Sequence, residues 1–358
     1  MTTLSRRSFM AYATTVVAAA CGSMPSPSPT PTLSAGLPPS RPGLRALVGE
    51  RLPLIGSAVR GEPLVQEAPY RDTIALEFNI ATPEHALKFA PVHPERERYD
   101  FTEADLIVDF ARQQGMQVRG HTLVWHEEAP AWVAKGNFNR DQLTAILHEH
   151  IRSVVGRYRG RIQYWDVVNE ALDDDGSLRK TVWQQTIGPG YLDIAFRAAH
   201  EADPDAKLFY NDYGAEALGP KSDAVLDLVQ GLIARGVPVD GVGLQCHFAI
   251  DKPPKLPEIE ANLTRLASAG FEVQVTELDV RIPLPASDDE LSKQAALYGD
   301  LLRICRANPR CTAYVMWGFT DRHSWVPEFR AGYGAAHILD QVYAPKPAYD
   351  ALANVLSR

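Results

Sequence analysis

Short apolar, β-branched runs recur along the chain from Leu54 onward, and longer stretches with apolar residues at helical spacing lie between them. Such a short run suits a strand buried on both faces, whereas a period near 3.6 suits an amphipathic helix. The pattern predicts strands at 54–59, 74–80, 117–125, 162–169, 207–211, 241–247, 272–277 and 312–317. It predicts helices over 103–115, 141–158, 191–202, 221–235, 257–269 and 288–306. Gly115, Gly236 and Gly270 each follow a helical stretch and read as C-caps. A strand–helix alternation of this length favours a closed parallel barrel over an open doubly wound sheet. The expected fold is therefore α/β, a (β/α)8 TIM barrel. No long linker interrupts 44–358, which reads as one catalytic domain.

The start of the chain has a different character. Ser5-Arg6-Arg7-Ser8-Phe9-Met10 resembles a twin-arginine export signal. The apolar segment Tyr12 to Ala20 that follows is too short to anchor across a bilayer. Residues 1–21 read as a signal peptide ending in Ala18-Ala19-Ala20-Cys21. That string fits either a small-residue cleavage site or a lipoprotein box with an acylated Cys21, although the box usually carries Leu where Ala18 stands. Residues 22–43, rich in Pro, Ser and Thr, read as an extended tether. The expected location is bacterial and outside the cytoplasm: periplasmic, anchored to the outer membrane through Cys21, or secreted. In an oxidising compartment Cys305 and Cys311, which flank a short loop, are expected to form a disulfide. Cys246, inside an apolar run, reads as a small buried residue. No Cys/His spacing resembles a metal site.

Charge narrows the partners. With 44 acidic and 36 basic residues the net charge is −8, and no basic stripe is present, which argues against nucleic acid. No Gly-x-Gly-x-x-Gly opens a helix after a strand, which disfavours dinucleotide binding. Polar and aromatic groups collect where the predicted strands end, as at Asn79, His121 to His126, Asn169-Glu170, Asn211-Asp212-Tyr213, Gln245 to His247, Glu277 to Asp279 and Trp317. Barrel enzymes place their active sites at that rim.

Two glutamates stand out. Glu170 and Glu277 each close an apolar run, where a carboxylate is costly to desolvate unless paired or used. Singly, each is equally well a strand-end salt bridge. Together they suggest hydrolysis of a glycosidic bond. Glu170 would keep its proton and pass it to the leaving oxygen, while ionised Glu277 attacks the anomeric carbon. In a retaining enzyme the two carboxyls sit about 5–5.5 Å apart. His247 is expected to hydrogen-bond Glu277, with Asp279 as its further partner. Asn169 is placed to donate to the sugar 2-OH. His121, Trp125 and His126 form a dense aromatic and imidazole patch. Lys88 stands one helical turn after Glu84, and a solvated i,i+4 pair is the default reading there. Trp317 and Trp325 bracket Asp321-Arg322-His323-Ser324 and suggest a platform for sugar rings; core packing is the alternative, chiefly for Trp317.

Six strings, in order, resemble glycoside hydrolase family 10, the endo-β-1,4-xylanase family: Gly-His-Thr-Leu-Val-Trp-His (120–126), Trp-Asp-Val-Val-Asn-Glu-Ala (165–171), Asn-Asp-Tyr (211–213), Gly-Leu-Gln-Cys-His-Phe (243–248), Val-Thr-Glu-Leu-Asp-Val (275–280) and Met-Trp-Gly-Phe-Thr-Asp (316–321). The resemblance covers residues 50–355. It implies a TIM barrel, no cofactor, and retaining hydrolysis of xylan or xylo-oligosaccharides by double displacement; separately, a monomer is expected. It also implies Glu170 as acid/base and Glu277 as nucleophile. Sugar contacts carry to Glu84, His85, Lys88, His121, Trp125, Glu128, Asn169, Gln245, His247, Trp317 and Trp325, and a disulfide to Cys305 and Cys311.

Two positions depart from the family pattern. His85 replaces Asn in Pro-Glu-Asn, and Glu128 replaces Gln in Trp-His-x-Gln; both normally touch the second sugar on the glycone side. His85 and Glu128 are expected to pair and to alter that subsite. The alternatives are therefore specificity for another or decorated β-glycan or for short oligosaccharides, or a weakly active carbohydrate-binding lipoprotein. The presence of both glutamates counts against the last.

Overall fold

The structure, a computed structural model, describes residues 41–48 and 53–358. The twin-arginine leader, Cys21 and the tether as far as residue 40 lie outside the described residues.

Eight parallel strands form the barrel: β1 Leu54–Val59, β2 Ile80–Pro83, β3 Gln117–Gly120, β4 Tyr164–Asn169, β5 Lys207–Asp212, β6 Gly241–Leu244, β7 Glu272–Pro283 and β8 Cys311–Met316. Each pairs with the next, and β1 pairs with β8, Leu54 opposite Ala313, to close the ring. The strands are buried almost throughout, as expected for a sheet covered by helices outside and filled by side chains inside.

Most predicted elements lie within a residue or two of the observed ones. The helices span Thr102–Gln113, Arg140–Arg157, Tyr191–Ala202, Pro220–Ala234, Leu256–Ser268 and Asp288–Ala307. Gly115, Gly236 and Gly270 follow three of them with φ of 65°, 66° and 99°, a conformation that glycine adopts without a Cβ penalty. A further helix, Pro347–Leu356, packs on Asp288–Ala307. Cys305 and Cys311 are disulfide-bonded, with Cα atoms 5.2 Å apart.

Three expectations are corrected. The second strand is 80–83, not 74–80, because Ala68–Glu77 is helical. Tyr70, Thr73, Ile74 and Glu77 make its buried face at helical spacing, and a short apolar run does not reveal its own period. The third strand stops at Gly120; residues 121–125 leave the regular ladder and stay on β4 through an isolated bridge of Val124 with Val168 and backbone bonds such as Leu123 N to Asp166 O at 3.0 Å. The run 241–247 breaks after Leu244, and a short strand His247–Ala249 pairs with the outer half of β7. Cys246 sits in that break, buried, with φ 63°, and not within a strand.

The barrel interior changes character along the strands. Toward one end of the barrel, Leu54, Ile80, Ala313 and Val315 form an apolar cluster with Tyr164 beside it. Farther along, Arg119 is fully buried, lies 4.7 Å above the Phe209 ring and donates to Asp166, with Nε–Oδ2 at 3.0 Å. It also donates to Gln274, whose amide donates to Thr312 at 2.9 Å. Removing one partner of such a buried ion pair typically costs about 3–5 kcal/mol, because the other charge is stranded. This polar layer lies directly beneath the rim.

Candidate active site

Glu170 follows β4. Its φ is +56°, the left-handed region, which typically costs a non-glycine residue about 1–3 kcal/mol and persists only where the surroundings enforce it. Its Oε1 accepts from Gln245 Nε2 at 2.9 Å and Asn169 Nδ2 at 3.2 Å, and its Oε2 accepts from Trp125 Nε1 at 2.9 Å. Glu277 lies on β7. Its Oε1 accepts from Asn211 Nδ2 at 2.6 Å, and its Oε2 lies 3.2 Å from His247 Nε2. Asn211 Nδ2 donates in addition to Asn169 Oδ1 at 2.8 Å, while the Thr276 hydroxyl donates to Asn211 Oδ1 at 2.7 Å and fixes which way the amide faces. Gly243 makes room for this amide, since a Cβ there would lie 2.1 Å from Asn211 Oδ1. One chain of side-chain amides therefore links the two carboxylates across the barrel mouth.

Carboxylates and imidazoles alternate along a second chain. Asp166 Oδ2 lies 3.0 Å from His121 Nδ1, which lies 3.8 Å from Glu277 Oε1. Beyond Glu277, His247 Nδ1 lies 2.9 Å from Asp279 Oδ2, which also accepts from Trp325 Nε1 at 2.8 Å. Burial would push Glu277 upward, yet the His121 imidazole and the His247 hydrogen bond outweigh it and hold the carboxyl below its ordinary range. Burial would lower His247, but Asp279 and Glu277 raise it to about 10. His247 is therefore an imidazolium at neutral pH, with one N–H directed at each carboxylate. Burial likewise pushes Asp166 up, and Arg119 and His121 bring it below the usual value.

The other expected residues surround this core. Trp317 is buried and meets His121 edge-on at 5.0 Å between ring centres. Trp325 meets His247 edge-on at 5.1 Å, and its indole N–H is committed to Asp279. Lys88 Nζ sits 4.7 Å above the Trp125 ring. The expected Glu84–Lys88 pair does not form, because Arg60 Nε donates to both Glu84 oxygens at 2.9 Å. A fixed guanidinium fork satisfies a carboxylate better than a single ammonium does. His85 Nε2 lies 3.4 Å from Glu128 Oε1, so the two departing positions do pair. The His85 imidazole beside it holds Glu128 below its ordinary range against the effect of burial. His85 stays more than half exposed, and beside it Glu84, Arg60, Glu67 and His323 line a cavity of about 400 Å³.

Reading the sequence missed Arg119, Asp166 and Thr276 as parts of the site. A trace was present: Arg119 and His121 alternate along one buried run, and Asp166 interrupts the next apolar run.

The sequence pattern of Glycosyl hydrolase family 10 matches residues 43–355. The chain belongs to glycosyl hydrolase family 10. Among its relatives in this family, "Endo-1,4-beta-xylanase B" of Thermotoga neapolitana is 43% identical over 288 residues, 80% of this chain and 83% of that protein. "Endo-1,4-beta-xylanase" of Agaricus bisporus is 39% identical over 294 residues, 82% of this chain and 88% of that protein. Xylanase 10B of Thermotoga petrophila RKU-1, solved in complex with xylobiose, superposes with a TM-score of 0.85 at 44% identity; the match covers 88% of this chain and 97% of that one.

The raised His247 value sets a sign for this family 10 site. Unfolded histidine titrates near about 6.5. The stabilisation from charged His247 is fully present below that pH and is lost as pH rises toward the folded value of about 10. Denaturant unfolding of wild type and His247→Gln should therefore differ most near pH 6, with the gap narrowing by pH 10; a gap that does not change with pH contradicts the assignment.

Proposed function

We propose that this chain is a retaining endo-β-1,4-xylanase acting on xylan or xylo-oligosaccharides, with Glu277 as nucleophile and Glu170 as acid/base. The observation that carries the reading is the unequal treatment of two carboxyls in one network: Glu277 sits between two imidazoles, while Glu170 is held by neutral amides and an indole. Ionised Glu277 attacks the anomeric carbon as Glu170 protonates the glycosidic oxygen, and the aglycone leaves. Glu170, now a base, takes a proton from water, which displaces Glu277 from the same face that the aglycone left. Configuration is retained overall.

His247 and Asn211 keep Glu277 aimed and charged before attack. Asn169, bonded to both Asn211 and Glu170, is placed beside the acid for the sugar 2-OH. The xylanase names of the relatives and the xylobiose in the Thermotoga petrophila structure support a β-1,4-linked xylose chain as substrate.

The reading is tested by the anomer first formed and by two substitutions. NMR of fresh hydrolysate should show the β-anomer; initial α-anomer refutes retention. Glu277→Ala should remove about 10⁴-fold or more of kcat, consistent with loss of a nucleophile that acts as part of a unit. Glu170→Ala should damage substrates with poor leaving groups far more than activated aryl glycosides. Substantial activity in the first variant, or equal losses in the second, contradicts the roles.

The His85–Glu128 pair adjusts the glycone side of the cleft without altering this chemistry. It places an ionisable pair where family members carry two amides, each of which both donates and accepts. His85→Asn combined with Glu128→Gln should raise kcat/KM on linear xylo-oligosaccharides about tenfold, the worth of one good hydrogen bond or so. No change between the two proteins removes the idea.

A further inference from the structure

The peptide around Glu170 is tied down on both sides. Glu170 N donates to Asn211 O at 2.9 Å, and its own carbonyl accepts from Arg179 Nε at 3.1 Å. Ala171 N donates to the Tyr210 hydroxyl at 3.1 Å, and Ala171 O accepts from Arg179 N at 2.8 Å. The side-chain ties lead back to one residue, Asp212, at the end of β5 and fully buried.

On one side the Tyr210 hydroxyl donates to Asp212 Oδ2. A carboxylate can only accept, so the hydroxyl must give its proton to Asp212 and keep a lone pair for Ala171 N–H. On the other side Lys221 Nζ lies 3.0 Å from Asp212 Oδ1 and 3.6 Å from the centre of the Tyr213 ring. The Tyr213 hydroxyl accepts from Arg179 Nη2 at 3.2 Å, and the same nitrogen donates to Leu172 O at 2.9 Å. Arg179 Nη1 pairs with Asp173 at 2.9 Å. Tyr210 and Lys221 are buried along with Asp212.

We propose that Asp212 is a positioning residue for the acid Glu170, acting through Tyr210 on one side and through Lys221, Tyr213 and Arg179 on the other. The left-handed backbone at Glu170 is a costly conformation that persists only where the surroundings enforce it, and these ties are part of that enforcement. Releasing either side lets the peptide between 170 and 171 turn and carries the carboxyl away from Trp125 and Gln245. Glu277 lies inside β7, at a register shift between Val275 and Leu278, and has separate supports in Asn211 and His247, so the fault is confined to proton delivery. This rests on the reading of Glu170 as the acid.

The test compares Asp212→Asn, Tyr210→Phe and Glu170→Ala on two substrates, phenyl β-xylobioside and 2,4-dinitrophenyl β-xylobioside. The asparagine keeps the shape of Asp212 but offers an N–H to the Tyr210 oxygen in competition with Ala171. In both positioning variants kcat/KM should fall about 10- to 100-fold on the phenyl substrate and within about threefold on the dinitrophenyl one, the expected cost of slight misplacement of a catalytic group. Glu170→Ala should show the same selectivity, more severely. Equal losses on both substrates in the positioning variants, or no loss at all, overturn the proposal. Selectivity in Glu170→Ala alone leaves the acid assignment standing and removes the role of Asp212; equal losses in Glu170→Ala remove the acid assignment and the proposal with it. If Asp212→Asn does not fold, Tyr210→Phe decides, because it deletes one hydroxyl and keeps the buried charges.

Discussion

Glu277 is buried and ionised, and its contact with the His247 imidazolium makes that combination sustainable. An isolated carboxylate moved from water into a protein interior loses several kcal/mol of solvation even after relaxation, and ordinarily takes up a proton instead. A carboxylate proposed as the nucleophile cannot do so. The barrel meets the requirement by alternating carboxylates with a guanidinium and two imidazoles along a line from Arg119 through Asp166, His121, Glu277 and His247 to Asp279. Each carboxylate on the line has a cationic partner in Arg119 or the His247 imidazolium, so none is buried unpaired. The line begins in the polar layer within the barrel, which joins the fold to the chemistry at its rim.

The same arrangement shows where stability is surrendered. The outer face of the sheet and its helices form a large apolar core, and the barrel floor is apolar as well. The mouth instead holds buried amides, imidazoles and carboxyls, together with a glutamate in a backbone conformation that few residues other than glycine adopt. A core designed only to fold would have neither. Local strain and a dense polar network are affordable here because they are compact and surrounded by regular structure that enforces them.

Much of this was legible in the sequence, for a definite reason. Several site residues interrupt apolar runs and so mark themselves, as Glu170, His247 and Glu277 do, although of these only Glu170 stands just past the end of a barrel strand; His247 opens a short strand and Glu277 lies inside β7. The His247–Asp279 contact followed from placing both beside Glu277, and the pairing of His85 with Glu128 followed from two departures from one family pattern. What stayed hidden depends on the third dimension. Arg119 and Asp166 lie 47 residues apart and become partners only when β3 and β4 align. The helix at 68–77 passed for a strand because its apolar residues are few and close together. Nothing in the string Asn169-Glu170-Ala171 announces a left-handed turn; Tyr210, Asp212 and Arg179 hold it from elsewhere in the chain.

The most direct measurement is to trap the sugar on the protein. A 2-deoxy-2-fluoro-xylobioside with an activated leaving group slows both chemical steps but hydrolysis of the intermediate more, so the covalent species accumulates. Peptide mass analysis after digestion should then find one fluoro-xylobiosyl group, attached at Glu277. Attachment at Glu170 or any other residue, or inactivation without covalent sugar, would contradict the account.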